Sequence, residues 1–253
     1  MKPQTILFDM DDTLVHCNKY FMLVLDQFAD LMETWFASYE LSKQEVLDKQ
    51  LEIDIAGVHV LGFTESHFPQ SLVDTYRHFG TLTGRRLSRM EVTELQELGR
   101  SVYEHEVEPY PYMVEALQEL EEDGHRLYLY TGGVEAIQMR KVKAVSLETY
   151  FQDRIFIRRH KNAEALDAIL KANGFDRSQT WMVGNSMRTD VMPALENGIH
   201  AIYLPAENEW AFNVVEATAE PQGAFLTLRS LNEVRAAIGS LIERASVSRE
   251  CIH

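Results

Sequence analysis

The chain has 253 residues, enough for one large domain or for a core domain carrying an insertion. Its 45% hydrophobic and 25% charged composition suits a packed globular protein, and 13 Gly and 7 Pro are too few for a collagenous or low-complexity chain. Asp and Glu outnumber Lys and Arg by 39 to 24, a net charge of −15, so the long-range field opposes nucleic acid, anionic lipid and any phosphate that lacks a local cation.

Thr5-Ile6-Leu7-Phe8 predicts a short buried strand that ends at Asp9-Met10-Asp11-Asp12-Thr13. From about His16 to Glu108 the pattern is helical. Phe21, Val24, Leu25, Phe28, Leu31, Met32 and Trp35 recur at helical spacing, and the Phe21/Phe28/Trp35 stripe reads as the core of this unit. Ser42 with Glu45 predicts a capping box, and Pro69–Leu72 and Ser88–Glu91 read as two more helix starts. Arg85, Arg86 and Arg89 read as a solvated basic face.

Beyond Pro109 and Pro111, strands and helices alternate. A helix over Met113–Glu122 leads to a strand at Leu127–Tyr130, closed by Thr131-Gly132-Gly133. After a further helix come a strand at Arg154–Ile157, a helix at Ala163–Ala172 and a strand at Trp181–Val183. A helix at Arg188–Glu196, strands at Ala201–Tyr203 and Phe225-Leu226, and a terminal helix near Leu231–Ile242 follow. The fold class expected is α/β: a Rossmann-like parallel sheet core made of 1–15 and 109–253, with an inserted all-helical domain over 16–108. Two cysteines, Cys17 and Cys251, offer no disulfide framework, Met1 to Phe8 reads as no secretion signal, and the longest apolar run, Tyr20 to Leu25, is far too short to span a bilayer. A cytoplasmic setting is expected. Cys17, with no identifiable base beside it, reads as structural.

Candidate chemistry falls at the strand ends, which converge on one rim of a parallel sheet. Asp9 and Asp11 follow the first strand, Thr131 the second, and Lys161 the third, after Arg158, Arg159 and His160. Gly184-Asn185-Ser186 with Asp190 follows the fourth. Crowded carboxylates repel unless one is protonated or a cation holds them, and oxygen ligands in small number suit Mg2+. A carboxylate is also a competent nucleophile toward phosphorus, and a second carboxyl two residues on can move the proton.

This ordered set resembles the haloacid dehalogenase-like superfamily. The matching residues are Asp9-Met10-Asp11-Asp12-Thr13, then Thr131, then Lys161, then Gly184-Asn185-Ser186-Met187-Arg188-Thr189-Asp190. The inserted helices match the superfamily's cap in position. The resemblance implies that Asp9 is a nucleophile forming an aspartyl phosphate and that Asp11 is the general acid–base. It implies that Thr131, Gly132 and Lys161 bind the phosphoryl group. Mg2+ would be held by the Asp9 carboxylate, the Asp11 main-chain carbonyl, and Asn185 and Asp190 of the last motif. Three positions depart from the pattern: Asp12 where Gly is frequent, Asn162 where Pro is frequent, and Asn185 where an acidic ligand is usual. The function expected is Mg2+-dependent hydrolysis of a small phosphorylated metabolite, with neither nucleic acid nor membrane as partner. Haloacid dehalogenation, phosphomutase chemistry and a non-catalytic binding scaffold are the rivals; Asp11 argues against the first and Asn185 motivates the last.

Overall fold

The computed structural model describes residues 2–216 and 221–250. Cys251 lies outside them. Six strands form one parallel sheet in the order β3-β2-β1-β4-β5-β6: β1 Thr5–Phe8, β2 Arg126–Gly132, β3 Ile155–Arg158, β4 Thr180–Gly184, β5 His200–Tyr203 and β6 Phe225–Thr227. The apolar runs of β1 and β4 lie at the centre and are buried on both faces, as a parallel sheet covered by helices requires. Phe8 pairs with Leu129 of β2 on one side and Val183 of β4 on the other. Successive strands run outward from β1 through β2 and β3, then restart at β4 on the opposite side. That reversal opens a crevice between the ends of β1 and β4, where open α/β sheets bind ligands.

Two apolar layers cover the sheet. One contains Ile6, Phe8, Leu117, Phe151, Trp181 and Ile238; the other contains Leu7, Tyr130, Leu166, Met182 and Leu195. The insertion carries four helices: α1 Asn18–Trp35, α2 Lys43–Leu61, α3 His67–Thr83 and α4 Arg89–Ser101. They enclose a separate apolar cluster around Phe28, Met32, Phe36, Leu72 and Tyr76, with Phe21 and Trp35 packed at its edge. The two chain crossings are zipped together, His16 N–H donating to Glu108 C=O at 2.8 Å and Tyr110 N–H to Leu14 C=O at 2.8 Å.

Local capping explains several boundaries. Ser42 and Glu45 close the expected capping box at α2, and Ser88 accepts from Met90 N–H at the start of α4. Helix α3 starts two residues before Pro69, with Pro69 in its first turn, where no N–H is needed. The core continues with α5 Met113–Glu122, α6 Glu135–Ala144, α7 Glu148–Phe151 and α8 Ala163–Ala172, capped by Asn162. The helix expected over Arg188–Glu196 is instead a π turn, Met187–Val191, followed by the short α9, Met192–Glu196. Pro193 has no N–H to donate, and wide turns of this kind concentrate at functional sites. The terminal helix α10 spans Val234–Glu250.

Arg85 departs from the expectation of a solvated face. It forms a two-pronged ion pair with Glu91, meets the Tyr76 hydroxyl and lies over the Phe36 ring at 4.9 Å. It pins α3 to α4.

Candidate active site

Asp9 leaves the end of β1, and its N–H still pairs with Val183 C=O at 2.9 Å, so the carboxylate is presented at the crevice between β1 and β4. It is buried. Asp9 Oδ1 accepts from the Lys161 ammonium at 2.6 Å, and Oδ2 accepts from the Thr13 hydroxyl at 3.2 Å. Burial pushes the Asp9 carboxyl up to about 7, against the pull of Lys161 and with the repulsion of Asp190 and Asp11. Burial also opposes the charge on Lys161, yet Asp190 and Asp9 together raise its pKa above the usual lysine value. Beneath the ammonium lies the Tyr130 ring, with its centroid at 5.0 Å.

Asp190 is the second partner of Lys161. Its other oxygen accepts from Ser186 N–H at 2.9 Å and lies over Gly184, where an added Cβ would come within 2.2 Å. Only glycine lets the carboxylate lie so close to the strand end. In this arrangement Asp190 holds the lysine and the 184–186 loop.

Asp11 is held from helix α6. Gln138 Nε2 donates to Asp11 Oδ2 at 2.9 Å and to Thr131 Oγ1 at 2.8 Å, and the Lys141 ammonium donates to Asp11 Oδ1 at 2.6 Å. Neither residue was among the sequence candidates. The signal available was their spacing of three on a helix that starts at a strand end, which puts both on one face. Lys141 also lies 3.6 Å from Cys17 Sγ, and burial drives the Cys17 thiol well above its usual range. Thr131 and Gly132 prove to be the last residues of β2, and α6 begins beside them with no side-chain cap at its N-terminus.

Asp12 has a role that its sequence position did not reveal. Its backbone is left-handed, φ 59°, a region glycine enters freely and Asp tolerates. The carboxylate accepts from Cys17 N–H at 3.0 Å and Asn18 N–H at 2.9 Å, satisfying the first turn of α1.

The Thr13 hydroxyl lies 3.2 Å from Asp9 Oδ2 and 3.4 Å from Asn185 Oδ1. One hydroxyl proton cannot serve both acceptors. One oxygen therefore lacks a donor, and the carboxylate of Glu209 adds negative charge 3.5 Å from Asn185 Nδ2. Burial raises the Glu209 carboxyl. Among the described residues no three His, Cys, Asp or Glu side chains form a ready cage for a metal. Mg2+ does not demand one: it takes one or two carboxylates and keeps water for the rest. The Asp9 carboxylate and the Asn185 amide oxygen, both beside the Thr13 hydroxyl, fit it. Glu209, not expected from the sequence, accepts from Asn213 Nδ2 at 3.2 Å and Ala206 N–H at 3.3 Å and adds charge on the Nδ2 side of Asn185.

Asp9, Asp11, Thr131, Lys161, Asn185 and Glu209 line one cavity of about 440 Å³ between the sheet rim and the helical insertion. Its far wall includes Gln50, Asp54, His67 and Phe21, so Phe21 faces the cavity as well as the helical core. The insertion touches the rim: Phe63 N–H donates to Arg159 C=O at 2.9 Å, and an added Cβ on Gly132 would meet the Phe63 ring at 2.7 Å. His160 packs near Gly62 and does not line the cavity.

A family model described as haloacid dehalogenase-like hydrolase matches residues 3–198. The chain is 23% identical over 203 residues to Pyrophosphatase PpaX of Halalkalibacterium halodurans, covering 79% of this chain and 82% of that protein. Among solved structures, a haloacid dehalogenase-like family hydrolase from Xanthomonas campestris superposes with a TM-score of 0.77 at 24% identity, covering 97% of this chain and 94% of that one. HAD-hydrolase YfnB from Bacillus subtilis, solved with magnesium bound, superposes with a TM-score of 0.65 at 15% identity, covering 94% and 100% of the two chains.

Proposed function

Because the chain belongs to the haloacid dehalogenase-like hydrolase family, we propose that it is a Mg2+-dependent phosphatase that hydrolyses small phosphomonoesters through an aspartyl phosphate on Asp9. One observation carries this reading. A buried carboxylate held by a lysine, Asp9 with Lys161 at 2.6 Å, faces the same cavity as a second, separately held carboxyl, Asp11. Dehalogenation has no use for that second carboxyl; phosphoryl transfer does.

The Asp9 carboxylate attacks phosphorus, the bond to the leaving oxygen breaks, and Asp11 delivers a proton to that oxygen. Water then attacks phosphorus, Asp11 takes its proton, and the bond to Asp9 breaks to release phosphate. Lys161 offsets charge on the phosphoryl oxygens, and Thr131 with the uncapped N-terminus of α6 supplies donors to them. Asp9 and Asn185, with the Asp11 carbonyl, would hold Mg2+, which neutralises phosphoryl charge when bound, and Glu209 would add negative charge beside Asn185. Gln138 and Lys141 keep Asp11 oriented.

Release of phosphate from p-nitrophenyl phosphate and from a panel of phosphorylated metabolites, pyrophosphate included because of the PpaX relative, tests the reading. Turnover with Mg2+ that EDTA abolishes is expected. No phosphate release from any compound would overturn it.

A further inference from the structure

The cavity's charges are unevenly placed. Its lysines are Lys161 and Lys141, both at the sheet rim and both held by carboxylates. The far wall, on α2 and the start of α3, has no lysine or arginine. It carries Asp54, flanked by Leu51, Val58, Phe63 and Phe68. Tyr103 stands between the ends, within electrostatic range of Cys17 and Lys141 on one side and Asp54 and Glu65 on the other.

Asp54 is 7% exposed, and its carboxylate has no hydrogen bond from any described residue. His67 Nε2 gives its proton to the Asp54 main-chain carbonyl at 2.8 Å, leaving the carboxylate a 3.4 Å approach. Gln50, one turn earlier on α2, turns its amide to Ser71 at 2.9 Å. On the same wall the Thr64 hydroxyl oxygen is buried and has no partner. A buried carboxylate whose one nearby donor, His67 Nε2, is turned to a main-chain carbonyl is costly, and so is an orphaned hydroxyl. Both belong to the wall of a space the size of a small molecule.

We propose that this wall binds a protonated amine, and that the substrate is the phosphomonoester of an amino alcohol with an apolar stem, not a molecule bearing a second anion. The inference rests on the phosphatase reading and narrows it. The amine would lie against Asp54, with Thr64 accepting from it, while the phosphoryl group lies at Asp9. A second phosphate or a carboxylate would meet Asp54 and Glu65 with no free lysine or arginine nearby. Pyrophosphate, whose leaving group is itself an anion, is accordingly a poor substrate.

Three aryl phosphates test this with the reacting bond held constant: 4-(2-aminoethyl)phenyl, 4-ethylphenyl and 4-(2-carboxyethyl)phenyl phosphate. The expected order of kcat/KM is amine, then ethyl, then carboxylate, with about tenfold or more between first and last, as one charge-assisted hydrogen bond supplies. Asp54→Asn should bring the amine-to-carboxylate ratio to within about threefold, a collapse that losing one charge from a net −15 does not produce through the long-range field. A carboxylate handled as well as the amine, or a ratio unchanged in Asp54→Asn, would overturn the proposal. Should Asp54→Asn not fold, the order in the unaltered protein decides. The matching benzylphosphonates, titrated by calorimetry with Mg2+ present, give the same ranking without turnover. If neither an aryl phosphate nor any compound of the metabolite panel is hydrolysed, the phosphatase reading fails, and equal affinity for the three phosphonates would separately dismiss the amine site.

Discussion

Lys141 and Gln138 occupy both oxygens of Asp11, so they set where its proton can go. Lys141→Met should lower kcat by roughly tenfold to a hundredfold, part of what a general acid–base supplies. The loss should be larger for an alkyl phosphate than for p-nitrophenyl phosphate, whose leaving group needs little protonation. Equal losses on both would assign Lys141 to packing. On the proposed metal side, Asn185 would contribute an amide where a carboxylate would bind Mg2+ more tightly, and Glu209, 3.5 Å from its Nδ2, would add charge nearby. Asn185→Asp should therefore lower the Mg2+ concentration giving half-maximal activity, and Glu209→Gln should raise it by about tenfold. A Glu209→Gln protein with an unchanged Mg2+ requirement would remove Glu209 from the site. The candidates at strand ends were legible because strand-end placement and their order along the chain, matched to the family pattern, mark them together. Glu209 was not, because it arrives on a loop beyond β5 whose path no periodicity encodes. Asp12 was opaque for another reason: its use depends on a left-handed backbone angle, invisible until the chain turns.

Helix α2 shows how an element can hide a site in plain pattern. Its buried residues Val46, Gln50, Asp54 and Val58 recur every four positions, one stripe with two polar members. Buried polar residues in an apolar stripe are the informative exception, yet the reading of the helical unit followed its aromatic stripe instead. Burial pushes the Asp54 carboxyl up to about 6, with His67 pulling it down. The folded protein thus holds this proton to higher pH than the unfolded chain does. The stability it contributes is present at low pH and is lost as pH rises from the ordinary carboxylate range through about 6. Melting temperatures of Asp54→Asn should fall less over that window than those of the unaltered protein; parallel curves would contradict the shift. The contact between the end of β2 and the loop after α2 is equally specific. Gly132→Ala should push the Phe63 ring away and lower kcat/KM by about tenfold with little change in melting temperature. Adding Phe63→Ala should recover part of the loss, a coupling that a double-mutant cycle reads directly. The parallel sheet and the helical insertion were legible from alternation and spacing; the strand order was not read. The π turn at Met187–Val191 was not legible: its Asp190 is tied to Lys161, a tertiary contact that no local pattern encodes.

At the scale of the whole molecule, an excess of fifteen negative charges surrounds a site that, on the proposed function, receives a phosphate. The protein meets that conflict locally, with the buried Lys161 and the half-buried Lys141 at the sheet rim. Among the described residues no helix is long and apolar enough to cross a membrane. The proposed covalent mechanism requires that an oxygen of Asp9 attack phosphorus. Asp9→Asn keeps the shape and hydrogen-bonding capacity of the side chain but cannot form the acyl phosphate. Its turnover of the best phosphomonoester, measured beside its melting temperature, is the most direct measurement. The account predicts loss of at least about a thousandfold, roughly 4 kcal/mol of barrier, in a protein that still folds. Activity retained within about tenfold would contradict it and remove the covalent step from the mechanism.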